Sequence, residues 1–158
     1  MTALAEIVIA EASSGRLPPE KPVSRFTPEQ IRQNVAHLVS TEQLPLANAL
    51  VDAGLSLYPD SEDILSIGAL VAQVLQDWDR AKELIRCLMR VQKGFSPPQT
   101  WFHWVRVLRC RGEIKNATLA AKQASGLFPN DEQLQKEYLE LVDLTENATQ
   151  LDTAATRQ

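Results

Sequence analysis

The residues that most often carry catalysis or bind metals are scarce in this sequence of 158 residues. It holds two histidines, His37 and His103, and two cysteines, Cys87 and Cys110. A cysteine can act with a histidine as a nucleophile, and two cysteines can form a redox pair. The sequence lacks the motifs of serine hydrolases, nucleotide-binding loops and zinc proteases. We interpret both cysteines as buried and reduced and His37 as a helix-surface residue, and we predict no catalysis, no cofactor and no metal site.

Charge is distributed unevenly along the chain. The sequence has 16 basic and 20 acidic residues, a net charge of −4. Ten of the basic residues lie between Arg80 and Lys122, where only Glu83 and Glu113 oppose them. This basic stretch is either an ordinary solvated surface or a guide for an acidic partner. We do not expect nucleic acid as a partner, because the rest of the chain is strongly acidic and repels phosphate.

A repeat orders the chain around small residues. Three similar segments align on Ala47, Ala81 and Ala117, and two of them close with Pro59 and Pro129. The steps between the alanines are 81 − 47 = 34 and 117 − 81 = 36, and the prolines are 129 − 59 = 70 apart, which is the sum of the two steps. The sequence therefore predicts three copies of one structural unit.

Each copy is predicted to contain two helices. Apolar residues follow the 3.6-residue period, as in Ile31, Val35 and Leu38 of the first copy. Three polar segments that begin at Thr27, Ser96 and Asn130 resemble helix N-caps, and Gly112 marks a helix end. No segment alternates with the period of two that a half-buried strand requires. We predict an all-α helical-repeat fold.

These residues resemble the tetratricopeptide repeat (TPR), a 34-residue helix–turn–helix unit. The three alanines match its most constrained position, and Gly54, Leu88 and Ala124 match its second packing position. The resemblance covers about residues 27–130. We predict a short helix and linker over residues 1–26 and one TPR-like domain over 27–144, in which residues 131–143 form a capping helix. A flexible tail is predicted over 145–158.

The resemblance implies a concave groove lined by the first helix of each unit. Such a groove suits a protein or peptide partner with apolar anchors and acidic residues. The predicted groove residues are Arg32, Ala36, Val39, Ser66, Ile67, Leu70, Gln73, Val74, Gln99, Phe102, His103, Arg106 and Arg109.

One known use of the fold is disfavoured by the residues. TPR co-chaperones that clamp a C-terminal carboxylate use Lys, Asn, Asn, Lys and Arg. Here the five positions are occupied by Arg32, Ala36, Ile67, Gln99 and His103. In length and helix order the chain is instead similar to the bacterial chaperones of type III secretion translocators.

We therefore predict a non-catalytic adaptor or chaperone. The alternative is a structural or assembly subunit that self-associates, and a homodimer is compatible with either. With no apolar run of 18 residues and no basic, apolar leader, we expect a cytoplasmic protein without membrane insertion.

Overall fold

The structure is a computed structural model that describes the backbone of residues 26–155 and the side chains of residues 26–147. The described residues form seven α-helices and no strand, so the prediction of an all-α fold is confirmed for this part of the chain. The predicted N-terminal helix and linker lie outside it. The helices are α1 (Pro28–Ser40), α2 (Leu44–Leu57), α3 (Glu62–Val74), α4 (Trp78–Val91), α5 (Pro98–Cys110), α6 (Ile114–Leu127) and α7 (Glu132–Ala155).

The helix starts reproduce the repeat of the sequence. The first helices α1, α3 and α5 begin at residues 28, 62 and 98, which are 34 and 36 residues apart. The second helices α2, α4 and α6 begin at 44, 78 and 114, with the same steps. Helix α7 begins at 132, 34 residues after α5, and so starts where the first helix of a fourth repeat belongs.

The helix ends agree with the sequence only in part. Thr27 caps α1: its hydroxyl accepts from the Gln30 amide at 3.3 Å, and the Gln30 side chain accepts from the Thr27 amide at 2.9 Å. The cap predicted at Ser96 is wrong, because Pro97 is the residue before α5 and no side chain caps that helix. At α7 the capping oxygen belongs to Asp131 rather than to Asn130, since Asp131 Oδ1 accepts from the Leu134 amide at 3.0 Å.

The turn between the two helices of each repeat needs a left-handed residue. Gly112 has φ = 76° and ends α5 as predicted. The equivalent residues Glu42 and Gln76 have φ of 59° and 58°. Side chains with a Cβ are disfavoured in this region, so the turn geometry is imposed by the packing of the helices rather than by local sequence in the first two repeats.

Contacts divide the chain into two compact units, residues 1–93 and 94–158. The described part of unit 1 contains α1 to α4, and that of unit 2 contains α5 to α7. The predicted single domain over 27–144 therefore stays a prediction.

Both units are built on the small residues that the repeat predicts. Ala47, Ala81 and Ala117 are fully buried, as expected at close contacts between helices. In unit 1 large aliphatic residues surround these contacts, and in unit 2 an alanine-rich face of α6 meets the tryptophans of α5. The unit 1 core contains Ile31, Val35, Leu38, Leu50, Val51 and Ile64, and the unit 2 core contains Val105, Leu108, Ala120, Ala121 and Leu141.

Helix α7 extends beyond residue 145, where the predicted flexible tail begins, and the flexibility of residues 145–158 stays a prediction. Helix α7 has 24 residues and continues to Ala155, past the predicted boundary at 145. The segment has no apolar stripe, but it also has no glycine or proline to stop the helix. Once a helix is nucleated, each further residue adds a backbone hydrogen bond. Leu134 and Leu141 of the predicted capping helix are fully buried.

Candidate functional site

The predicted groove residues occupy equivalent positions of the repeat. Ala36, Leu70 and Arg106 are related by the steps of 34 and 36 residues, and all three are exposed. They mark one exposed side of α1, α3 and α5, which we call the first-helix face. This face has a unit 1 part on α1 and α3 and a unit 2 part on α5.

The unit 1 part of the first-helix face is apolar. Leu70 is 37% exposed and Val74, one turn later on α3, is 53% exposed. Val39 and Ile67 are half-buried and pack against the unit 1 core beside them. These side chains leave hydrocarbon in contact with water, which is the surface that an apolar anchor of a partner would cover.

The polar residues of the unit 1 part form hydrogen bonds and ion pairs with other residues of unit 1. The Ser66 hydroxyl donates to the Asp63 carbonyl oxygen at 3.1 Å, and Gln73 Nε2 donates to the Ala69 carbonyl oxygen at 3.1 Å. Arg32 lies 3.2 Å from Glu29 Oε1 and 3.5 Å from Asp63 Oδ1 and so connects α1 to α3. Its charge is balanced by neighbours on both helices.

The unit 2 part combines an aromatic pair with an exposed charge. The rings of Phe102 and His103 lie 5.5 Å apart in an edge-to-face arrangement, and both side chains are half-buried. Burial, and then the positive charge of Arg106, lower the pKa of His103. His103 is therefore neutral at neutral pH, and the exposed guanidinium of Arg106 is the cation beside it. Gln99, one turn before, is exposed.

Arg109 has a contact that the sequence did not indicate. Its Nη1 lies 3.2 Å from Glu137 Oε2 and 3.1 Å from Glu140 Oε2, so it joins α5 to α7. The hydrogen bond to Glu140 raises its pKa. Arg109 thus stabilises unit 2 from within, and its predicted role in the groove stays a prediction.

The basic stretch is partly neutralised by acidic residues from outside it. Arg80 pairs with Asp52 of α2, and Arg109 pairs with two glutamates of α7. Within the stretch, Arg86 lies 3.3 Å from Glu83 and Arg111 lies 2.7 Å from Glu113. Counting charges along the sequence missed the contacts with Asp52, Glu137 and Glu140, because these residues lie at least 28 residues from their arginines in the chain.

The prediction that both cysteines are buried is wrong. Cys110 is exposed and Cys87 is half-buried, with its sulfur 3.4 Å from Arg90 Nη2. The repeat register contained the signal, since Cys110 occupies the position of Val74, at the exposed end of a first helix. His37 is exposed on α1, as predicted. Within residues 26–147, His, Cys, Asp and Glu do not cluster in any group of three that could hold a metal ion.

Helix α7 carries an exposed leucine that the sequence did not indicate. The helical spacing of Leu134, Tyr138, Leu141 and Val142 predicts one apolar face, whereas Leu139 is 63% exposed. Among the helices in residues 26–155, none combines the length and the hydropathy that crossing a bilayer would need.

Comparison with known proteins identifies the fold. No family model matches the chain, and no curated protein matches it. Among solved structures, the first TPR domain of Spaghetti (RPAP3) bound to the HSP90 peptide SRMEEVD has a TM-score of 0.65 at 10% identity, over 73% of this chain and 90% of that one. YrrB, described as a TPR protein with an unusual peptide-binding site, has 0.65 at 18% identity, over 96% and 71%.

MamA AMB-1 has a TM-score of 0.64 at 18% identity, over 90% of this chain and 87% of that one. The helix starts at 28, 62, 98 and 132 and the three buried alanines give these similarities a basis in this chain's own residues. The chain has the fold of tetratricopeptide-repeat proteins, with three helix–turn–helix repeats followed by the helix α7.

Proposed function

We propose that this chain is a non-catalytic protein-interaction module that binds a peptide segment of a partner on its first-helix face. The observation that carries the proposal is the exposure of Leu70 and Val74 on α3. They are four residues apart and therefore lie on one side of the helix. In helix-in-groove and extended-peptide recognition, such apolar positions receive the anchors of the bound segment.

Similar structures support this choice of ligand. Two domains of RPAP3 with this fold are described as bound to peptides, SRMEEVD of HSP90 and SGPTIEEVD of HSP70, and YrrB as having a peptide-binding site. These peptides are described as ligands of RPAP3. They make a peptide the first class of ligand to test on this chain.

The residues favour a different peptide from those of RPAP3. Arg32 is balanced by Glu29 and Asp63, and Ala36 and Ile67 carry no polar side-chain group. These residues therefore offer little to hold a terminal carboxylate. We infer that the unit 1 part of the face receives apolar side chains of its ligand on α3. Taken by itself, the unit 2 part presents the exposed cation Arg106 and favours an acidic ligand residue.

The test is a selection of peptides from a displayed random library by the full chain, followed by titration of the selected peptide. Leu70→Ala is expected to weaken binding by roughly 10- to 100-fold, as for an anchor residue in an interface. Leu119→Ala is the matched control, because Leu119 is 66% exposed on α6 and lies outside the first-helix face. SRMEEVD and SGPTIEEVD serve as negative probes. Equal losses for both leucine variants, or tight binding of the two negative probes, would contradict the proposal.

A charge comparison tests the acidic part of the partner. Arg106→Glu is expected to slow association and to reduce its salt dependence, because exposed charges steer encounter. Arg86→Glu, on an exposed position of α4, is the control of equal charge. A partner that responds to Arg86→Glu as strongly as to Arg106→Glu binds elsewhere.

We further propose a more specific role for the chain, as an adaptor or chaperone in the cytoplasm. Its helix order is similar to that of the chaperones of type III secretion, and this role is compatible with a peptide-binding face. Binding of one unfolded segment of a secreted partner, with its release before export, would be the sign of that role.

A further inference from the structure

The fourth first helix, α7, exposes the middle residue of a face that the other first helices bury at that position. In the first three repeats, this face packs against the second helix of the same repeat. The equivalent positions are Ile31, Val35 and Leu38 in α1, Leu65, Ala69 and Ala72 in α3, Trp101, Val105 and Leu108 in α5, and Gln135, Leu139 and Val142 in α7.

The contrast is sharpest at the middle position. Val35, Ala69 and Val105 are at most 3% exposed, whereas Leu139 is 63% exposed. Beside Leu139 lies a shallow concavity of about 580 Å³, lined by Pro129, Asn130, Glu132, Gln135, Lys136, Leu139, Glu140 and Asp143. A second helix fills the corresponding place in each of the first three repeats.

Helix α7 does not supply this second helix itself. The first helices α1, α3 and α5 each end after 13 residues, and a second helix begins four residues later. At the equivalent place, residue 148, α7 is still helical and continues to Ala155. The described residues therefore contain a first helix without a second helix in the repeat's register.

The second helices share a pattern of four buried positions. An alanine is followed by small or apolar residues three, four and seven positions later. These are Ala47, Leu50, Val51 and Gly54 in α2, Ala81, Leu84, Ile85 and Leu88 in α4, and Ala117, Ala120, Ala121 and Ala124 in α6, and all twelve are buried.

The sequence contains this pattern once more, outside the described residues. Ala5 is followed by Val8, Ile9 and Ala12 at the same three spacings. The other alanines of this segment do not fit, because glutamate, serine, glycine or arginine falls on one of their positions. Residues 5–12 thus carry the sequence of a second helix ahead of the first repeat.

We propose that residues 5–12 of one copy pair with the Leu139 face of α7 of a second copy. The segment would act as the second helix of a repeat whose first helix is α7, and Val8 and Ile9 would cover Leu139. This interface is independent of peptide binding on the first-helix face. It explains, from one repeat pattern, both the uncovered first helix and the extra second-helix sequence.

A second copy is the expected occupant because repeat units contact their neighbours in sequence. The segment precedes the first repeat, and α7 follows the third. Pairing between copies joins unlike surfaces, head to tail, so it generates either a ring or a growing chain. The stoichiometry therefore distinguishes this interface from one that joins two identical surfaces.

The test measures the mass of the full chain by light scattering over a range of concentrations. The wild-type mass is expected to rise above the monomer mass of 17.6 kDa. Leu139→Glu and Val8→Glu are each expected to shift association to at least roughly tenfold higher concentration, since each puts a charge in place of a buried aliphatic group. Leu119→Glu, which alters an equally exposed leucine on α6, should associate like the wild type.

Mixing the two variants provides the decisive arm. Leu139→Glu retains the N-terminal segment and Val8→Glu retains the α7 face. The mixture should therefore form a heterodimer at concentrations where each variant alone is still monomeric. A wild type that is monomeric at every concentration overturns the proposal. The same monomeric mass is expected if the segment packs on α7 of its own chain, and that result would overturn the pairing between copies. A mixture that remains monomeric, or a Leu139→Glu variant that associates normally, overturns it as well. Peptide binding by either variant is unaffected in all of these outcomes.

Discussion

Two helix pairs of this protein bury their contact in opposite ways. In α3–α4 the first helix contributes alanines at two of its three equivalent positions, beside the large Leu65, and the second helix contributes large residues. In α5–α6 the residues of the first helix are large and those of the second are small. The residues are Ala69, Ala72, Leu84, Ile85 and Leu88 in the first pair and Trp101, Val105, Leu108, Ala120, Ala121 and Ala124 in the second. The repeat thus preserves the summed volume of a helix pair more than the identity of a residue.

The largest change in stability is expected when α4 is given the residue that α6 has at the equivalent repeat position. Ile85 and Ala121 are equivalent and both are buried. Ile85→Ala should lower the free energy of unfolding by roughly 2–5 kcal/mol, because the alanines of α3 cannot fill the cavity. Urea unfolding followed by circular dichroism measures it. Leu119→Ala, on an exposed position, should change it by less than about 0.5 kcal/mol. A similarly small loss for Ile85→Ala would show that the pair is not tightly packed.

The reverse exchange tests the second pair. Ala121→Ile should destabilise unit 2 by roughly 1–3 kcal/mol, because the large side chains of α5 already fill the space. Adding Leu108→Ala should then recover part of the loss, which a double-mutant cycle in urea would measure. Additive losses would mean that the volumes of α5 and α6 are not coupled.

Two glycines extend the comparison with smaller effects. A Cβ at Gly68 of α3 would lie 2.8 Å from Val51 Cγ1, a stiff and fully buried side chain. A Cβ at Gly126 of α6 would meet no atom within 4 Å. We expect Gly68→Ala to destabilise by roughly 1 kcal/mol despite its better helix propensity, and Gly126→Ala to stabilise by up to about 1 kcal/mol. Thermal unfolding of the two variants should shift the midpoint in opposite directions, and a shift of the same sign would contradict the close approach at Gly68.

The smallest expected effect is a pH dependence that belongs to unit 2. The pKa of His103 is lowered from about 6.5 by burial and by Arg106. As the pH falls below about 6.5, the unfolded chain binds a proton before the folded one does, so stability decreases and levels off below the folded pKa. His103→Gln should remove this decrease between pH 7.5 and 5.5, measured as the difference in urea midpoint. An unchanged decrease in the variant would assign it to other groups.

The helices and their repeat follow from the spacing of residues along the chain. The spacing of Ala47, Ala81 and Ala117 predicted the helix pairs and their buried contacts, because a close approach of two helices excludes larger side chains at those positions. The same register placed Leu70 and Arg106 on one side of their helices. These features depend on residues within a single repeat, so that local periodicity is enough to find them.

Which of these side chains a ligand can reach depends on contacts between distant parts of the chain. Arg109 is held by Glu137 and Glu140 of another helix, and Arg32 by Asp63 of another repeat. Periodicity gives the face on which a residue lies, but it does not give the partner that meets it from a distant part of the chain. Leu139 is the clearest case: its register is that of a buried residue, and it is exposed because no second helix packs on α7 within the described residues.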